Sequence, residues 1–344
     1  MKKYHRFIFY SFLLVFNMTG LISGMSGNTV LAQKINSSLK GKIICLDAGH
    51  GGTAQTDSYR VGPGGEREEW INLRVAKILQ TMLEDKGAKV IMTRTTDDTI
   101  SLQRRAKIAV DGKADLFVSI HHNATADPAV DFPIIYFHGN SSENLAGVSL
   151  GKELATTITK YLFLGNSPIS VVSDFTIFPK AGAQVLRATY GIPAVLAEAA
   201  FFSNPGEEQK LKQEAHNKRE AEAYTEALEA FFSKPVSRIL PKNSLTSITP
   251  FLAFQEAERM SETARRWHQD FLDAQALMKN TDTTSMRQAY ELFTRSARSF
   301  PDSYVAAECH ENRALLLRMM GKTSEAQQEE TRVKEFYVKF AVKK

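Results

Sequence analysis

From Lys42 to Phe232, short apolar runs alternate with longer stretches in which apolar residues recur at helical spacing. Lys42–Leu46 (KIICL) is a strand candidate that ends in the polar, glycine-rich run Asp47-Ala48-Gly49-His50-Gly51-Gly52. A loop follows, as far as Gly65. The next element is a helix over Glu68–Asp85, with Ile71, Val75, Ile78, Leu79 and Met82 on one face and Gly87 as its terminator. Lys89–Thr93, Asp115–Ile120, Ile134–Phe137 and Ala194–Ala197 read as further buried strands, and Leu145–Leu162 and Glu207–Phe232 as helices. Strands alternating with helices predict an α/β fold, a twisted and mostly parallel sheet between helices.

The pattern changes after Phe232. Residues 233–250 hold three prolines among Ser, Thr and Lys and read as a linker. Residues 251–344 contain one proline and one glycine, and their pattern is wholly helical. Ala289, Phe293 and Pro301 fall at the spacings of the second helix of a tetratricopeptide repeat, and Ala314, Gly321 and Ala326 follow about three residues late for the next repeat. An ordinary helical bundle is the competing reading. The expected organisation is a catalytic domain at 42–232, a linker at 233–250 and an all-α region with tetratricopeptide-like spacing at 251–344.

Ahead of the first strand lies a different kind of segment. Lys2, Lys3 and Arg6 precede the apolar run Phe7–Phe16, and Val30-Leu31-Ala32 offers a small-residue cleavage site, so residues 1–32 are expected to be a secretory signal peptide. An uncleaved anchor is the alternative, although Asn17, Thr19 and Gly20 cut the apolar run short of the roughly 20 residues a span needs. The formal charge of +5 owes three positives to this segment; without it, 40 basic residues face 38 acidic ones. A balance so near neutrality gives no electrostatic reason to expect a nucleic-acid partner. Cys45 and Cys309 read as buried thiols rather than a disulfide framework.

Candidate chemistry falls at the carboxyl ends of the strands, where open α/β sheets place their sites. His50 follows the first strand, His121 follows Asp115–Ile120 in Ser119-Ile120-His121-His122-Asn123, Glu198 ends the last strand, and Glu68 opens the helix after the first loop. Two imidazoles and a carboxylate on one rim make a catalytic zinc set with a fourth position left for water. Successive side chains on a strand face opposite ways, so only one of His121 and His122 is expected to reach such a metal. His5, His138, His216, His268 and His310 lack a spacing partner and read as structural or surface residues; His138 alone stands where it could reach the cleft rim.

Seven blocks carry a resemblance: Ile44–Gly52, Glu68–Leu73, Thr93-Arg94, Ser101–Arg105, Ser119–Asn123, Val185–Arg187 and Pro193–Asn204. In this order they resemble the zinc-dependent N-acetylmuramoyl-L-alanine amidases of the family-3 type, over roughly residues 42–232. The resemblance implies that His50, Glu68 and His121 hold Zn²⁺ and that Glu198 is the catalytic carboxylate. Glu68 is selected over Glu66 and Glu69 by its place four residues before Asn72-Leu73, and His122 is left to line the cleft. The implied reaction cleaves the amide between N-acetylmuramic acid and L-alanine in peptidoglycan, in the periplasm or cell envelope. Arg94 and Arg105 are expected to pair with acidic residues of the scaffold. No long insertion separates His121 from Glu198, so an open cleft is expected. The alternative is a catalytically weak peptidoglycan-binding envelope protein that recruits an envelope partner through its helical tail.

Overall fold

The structure is a computed structural model, and it describes residues 37–52, 60–242, 247–280 and 282–340. The signal-peptide expectation for 1–32 lies outside these residues, as does part of the loop at 53–65. The described residues fall in one compact unit.

Six strands form one sheet: β1 (Ile43–Ala48), β2 (Lys89–Met92), β3 (Leu116–Asn123), β4 (Ile134–Phe137), β5 (Ser170–Ser173) and β6 (Ala194–Phe201). Their spatial order is β2-β1-β3-β6-β4-β5, parallel throughout except where β4 runs antiparallel to β6. The domain also holds α1 (Glu68–Asp85), α2 (Leu102–Asp111), α3 (Leu145–Leu162), α4 (Gln184–Ala188), α5 (Pro205–Leu211) and α6 (Glu214–Phe232). The α/β expectation is met, with differences in detail. The helix expected over 207–232 is two helices, because the chain breaks at Lys212-Gln213 and Asn204 caps the first of them. β5 and α2 were not among the expected elements: β5 offers only two apolar residues, and α2 buries Arg105, Ala106 and Ala109 rather than large apolar side chains.

Side chains alternate between the two faces of the sheet, and each face builds its own core. Ile44, Leu46, Val118, Ile120, Ile135 and Val195 point to the face covered by α1, α3 and α6. Cys45, Phe117, Ile134, Tyr136, Val172 and Phe201 point to the other. On that second face the domain offers only the ten-residue α2 and the five-residue α4, which leaves the β4–β5 half in need of cover.

The C-terminal segment supplies it. Its helices are α7 (Glu256–Arg259), α8 (Glu262–Arg265), α9 (Trp267–Leu277), α10 (Thr283–Ser299), α11 (Ala306–Met319) and α12 (Thr323–Phe336), the last four packed as two consecutive helix pairs. Residues 251–255 are not helical, which corrects the expectation of an unbroken helical tail. Phe300 packs against Phe132 and Phe201 of the sheet domain and against Trp267, with ring centroids 5.0–6.1 Å apart. Tyr337 bridges to Val172 on β5, and Val338 N–H donates to the Val171 carbonyl at 2.9 Å. The stretch expected to be a linker is also tied down: Leu240 N–H donates to the Glu143 carbonyl at 2.7 Å, and Tyr190 Oη donates to the Leu240 carbonyl at 2.8 Å. Both cysteines are buried free thiols, and burial pushes each thiol pKa up to about 12.

Since one apolar core spans sheet and tail, unfolding should be a single transition. Phe300→Ala should cost about 3–5 kcal/mol, the usual figure for deleting a buried aromatic ring. Urea titration followed by sheet-domain and tail fluorescence reads this directly; two separate transitions would contradict the shared core.

Candidate active site

β1 ends at Ala48, and the chain turns at once through Gly49, His50, Gly51 and Gly52. His50 has φ +58°, a left-handed backbone that costs a non-glycine residue of order 1–3 kcal/mol. Two buried arginines hold it there. Arg94 donates to the carbonyls of Ala48 (2.7 Å), Gly49 (2.8 Å), Glu69 (2.7 Å) and Thr96 (3.0 Å). Arg105 donates to the carbonyls of Ala48 (2.7 Å), Ile100 (3.1 Å) and His50, and to Asp47 Oδ1 (2.7 Å). Arg105 thus meets the expected acidic partner. Arg94 does not: its bonds go to main-chain oxygens, whose convergence is invisible in sequence.

Asp47 is 1 % exposed and takes further hydrogen bonds from Thr93 Oγ1 (2.6 Å) and Ser119 Oγ (2.7 Å). Burial alone would raise its pKa, but the Arg105 guanidinium and the hydrogen bonds outweigh it and hold the carboxyl below its usual range. Gly49 is required by packing, because a Cβ there would overlap the His121 imidazole.

Register brings the rest together. His121 on β3 is paired with Glu198 on β6, and a bulge on β6 follows directly, between Glu198 and Phe201. Residues paired in adjacent strands share a face, so His121 and Glu198 stand side by side on the same face as Asp47 and Tyr136. Glu68 enters from the first turn of α1. Its Oε2 lies 3.0 Å from His50 Nε2 and its Oε1 lies 3.0 Å from His121 Nδ1. The two imidazoles meet edge to face, centroids 4.7 Å apart. One donor atom from each of the three residues falls within 4.8 Å of the others. Burial opposes ionisation of Glu68, yet His50 and His121 hold its pKa well below normal.

The neighbouring candidates separate. Glu69 pairs with Arg67 at 2.7 Å and Glu66 with Arg74 at 2.9 Å, so Glu68 alone of the three joins the imidazoles. His122 points to the opposite face, 1 % exposed, where Nδ1 meets Asn72 Oδ1 (2.8 Å) and Nε2 meets Glu220 (3.0 Å). It was expected to line the cleft; although it borders the cavity, its ring is committed to a buried chain. Burial works against a charged ring there, but the Glu220 carboxylate wins and raises the His122 pKa. Asn72 Nδ2 passes that chain on to Glu68 Oε1 at 3.1 Å. His138 does not reach the rim either: it is buried between Asp174 (2.7 Å) and Lys242.

Glu198 faces a cavity of about 470 Å³ together with His50 and Glu68. Its Oε2 is buried and has no hydrogen-bond partner among the described residues. Burial foremost, then the carboxylates of Glu68 and Asp302, raise its pKa well above normal, with Arg259 opposing. A second cavity, about 570 Å³, borders His50 and His121, shares His50, Arg60 and Phe178 with the first, and is lined further by Thr99, Leu102, Gln184 and Arg187. Among the described residues no segment fills the cleft between His121 and Glu198, and Leu252–Gln255, Arg259 and Met260 of the tail wall its first arm. The sequence reading set this segment apart from the site because no motif marks it.

Comparison with known proteins converges on one group. A profile of the N-acetylmuramoyl-L-alanine amidase family matches residues 44–230. The chain is 33% identical over 220 residues to a probable cell wall amidase, LytH, of Staphylococcus aureus, covering 63% of this chain and 68% of that one. Among solved structures, an N-acetylmuramoyl-L-alanine amidase from Clostridium difficile 630 is 27% identical over 57% of this chain and 99% of its own, with a TM-score of 0.49. The amidase AmiC2 of Nostoc punctiforme is 25% identical over the same shares, with a TM-score of 0.48.

Asp47 generates a prediction with a defined sign. Its folded pKa lies below the unfolded value of about 3.9, so its contribution is present above that pH and is lost as pH falls through the folded pKa. Asp47→Asn should cost about 3–5 kcal/mol at pH 7, as breaking a buried pair does, and the gap to wild type should narrow below pH 4. Urea unfolding at pH 7 and pH 3.5 measures both.

Proposed function

Because the chain belongs to the N-acetylmuramoyl-L-alanine amidase family, and so hydrolyses the amide joining N-acetylmuramic acid to L-alanine in peptidoglycan, we propose that it does so with a zinc ion held by His50, Glu68 and His121 and with Glu198 as catalytic acid–base. The observation that carries this reading is the convergence of two imidazoles and a carboxylate from three separate elements onto one point. Ligand atoms about 2.1 Å from a tetrahedral ion stand roughly 3.4 Å apart; His50 and His121 each meet an oxygen of Glu68 at 3.0 Å, and the three donor atoms lie within 4.8 Å of one another, close enough for side-chain adjustment to gather them on one ion. A His₂–carboxylate set is also a donor chemistry suited to hydrolytic zinc.

Held by His50, Glu68 and His121, a zinc ion would supply a water of lowered pKa and polarisation of the scissile carbonyl. The protein's own groups do the remainder. Glu198 takes the proton of the attacking water and hands it to the departing amine, a role supported by its buried Oε2, which has no hydrogen-bond partner among the described residues. Ser119 Oγ, 3.1 Å from His121 Nε2 and hydrogen-bonded to Asp47, fixes the imidazole's orientation from behind. Asn72 and the His122 N–H do the same for Glu68 Oε1 at 3.1 and 3.3 Å.

The substrate lies in the cell envelope, and the export signal expected at 1–32 would deliver the enzyme to the periplasm or the wall. Among the described residues no helix is long and apolar enough to cross a membrane. The tetratricopeptide-like reading is kept for the two helix pairs α9–α10 and α11–α12, with Ala289 and Phe293 fully buried between them and their neighbours.

Glu198→Gln should lower turnover on purified peptidoglycan by about 10²–10⁴-fold while leaving zinc content unchanged. Mass spectrometry of released stem peptides, beside metal analysis, tests this; full activity in the variant would overturn the assignment of Glu198. Chelation should abolish release of L-alanine-terminated peptides and added Zn²⁺ should restore it. His50→Ala should not be restored at the same zinc concentration.

A further inference from the structure

The two arms of the cleft are chemically unequal. Glu198 lines the arm walled by the tail and does not line the other. In amide hydrolysis the proton carried by such a carboxylate goes to the leaving nitrogen, which here is the amine of L-alanine. On the catalytic reading above, the stem peptide must therefore extend into the Glu198 arm. The lactyl and sugar portion extends into the arm lined by Thr99, Leu102 and Arg187.

The peptide arm contains a cation that does not come from the amidase domain. Arg259, in the last turn of α7, lines this cavity. Among the described residues its guanidinium has one polar partner, Asp302 Oδ1, at a loose 3.5 Å and through a single nitrogen. A guanidinium has five N–H donors, so most of its capacity is unspent. Beside it, Leu252, Phe254, Met260 and Phe178 supply apolar lining, and the cavity's other arginine, Arg60, comes from the amidase domain.

This wall is fixed rather than hinged. Asp302 is fully buried, accepts a hydrogen bond from Tyr136 Oη on β4, and receives Ser170 Oγ on its carbonyl at 2.7 Å. Arg265 Nε donates to the Ala126 carbonyl at 2.7 Å, and Phe254 N–H to the Arg298 carbonyl at 2.9 Å. Both sides of Arg259 are thereby anchored, and about 470 Å³ stays free between the wall and Glu198.

The geometry points to Arg259 as a substrate-binding residue, contributed by the C-terminal region, that receives a carboxylate of the stem peptide and so selects acidic stems in the correct orientation. Stem carboxylates have two sources, the residue after L-alanine and the chain terminus, and both present the planar anion that arginine recognises with paired donors.

The test uses the full-length zinc enzyme and synthetic N-acetylmuramoyl-L-alanyl-γ-D-glutamyl-L-lysine, as free acid and with either the glutamyl α-carboxylate or the terminal carboxylate amidated. Wild type should prefer the free acid over one of the two amides by about 10-fold or more in kcat/KM, the range expected for a hydrogen bond to a charged group. The amide that suffers identifies which carboxylate is bound. Arg259→Gln should raise KM for the free acid by a similar factor and abolish the preference, and Arg259→Lys should recover part of it. Equal losses on acid and amide would mark Arg259 as purely structural, and a gain of activity would make the segment an inhibitory cover; either overturns the proposal. If Arg259→Gln does not fold, the wild-type comparison still decides, because indifference to amidation contradicts carboxylate binding. Should wild type hydrolyse none of the three, the catalytic reading fails separately, and calorimetric binding of acid against amide still judges Arg259.

Discussion

Everything at the rim of the sheet rests on the main chain of three residues, Ala48, Gly49 and His50, being held where it would not settle unaided. His50 sits in a left-handed conformation with φ +58°. Its carbonyl and the two before it are gripped by Arg94 and Arg105. These are charge-assisted bonds in a dry setting, where they count for more than they would in water. Asp47 neutralises Arg105 and leads through Ser119 to His121, so the support for one imidazole is continuous with the orientation of the other. Glu68 can hold both rings only because this backbone brings His50 within reach.

Much of this was legible in the sequence, and the part that was not has a common cause. The hydrophobic period marked α1 and α3 to the residue, because each buries one broad face against the sheet. Strand alternation separated His121 from His122, and the structure sends them to opposite faces. The helical phase relation between Glu68 and Asn72 likewise appears as a 3.1 Å hydrogen bond. What escaped depended on distant partners. Arg94 looks like an ordinary scaffold cation until four carbonyls from three segments converge on it. His138 follows a strand as His50 does, but Asp174 and Lys242 bury it, and only the fold reveals them. β5 offers only two apolar residues, Val171 and Val172, set between serines, so no apolar run marks it.

The tail illustrates the same limit at larger scale. Prolines and a change of composition marked it as a separate region, and by pattern it is one. Yet the sheet face that bears Asp47, His121, Glu198 and Tyr136 is the face its own domain covers least, since α2 and α4 are short. Covering the β4–β5 half of that face brings the tail to the edge of the site. Apolar burial places Phe300 and Tyr337, and the position of Arg259 follows from theirs.

The pairing of Val171 and Val172 with Tyr337 and Val338 has a further consequence, for the order in which the molecule can be completed. The outer edge of β5 is closed by nearly the last described residues of the chain. Until they arrive, an open strand edge and an uncovered aromatic face remain exposed, and long-range closures of this kind are slow and prone to aggregation. In an enzyme that cuts the polymer protecting its own cell, the segment that walls the cleft is thus made after His50, Glu68, His121 and Glu198. Incomplete chains, whether truncated or caught partway through synthesis, would carry the hydrolytic centre without the finished cleft.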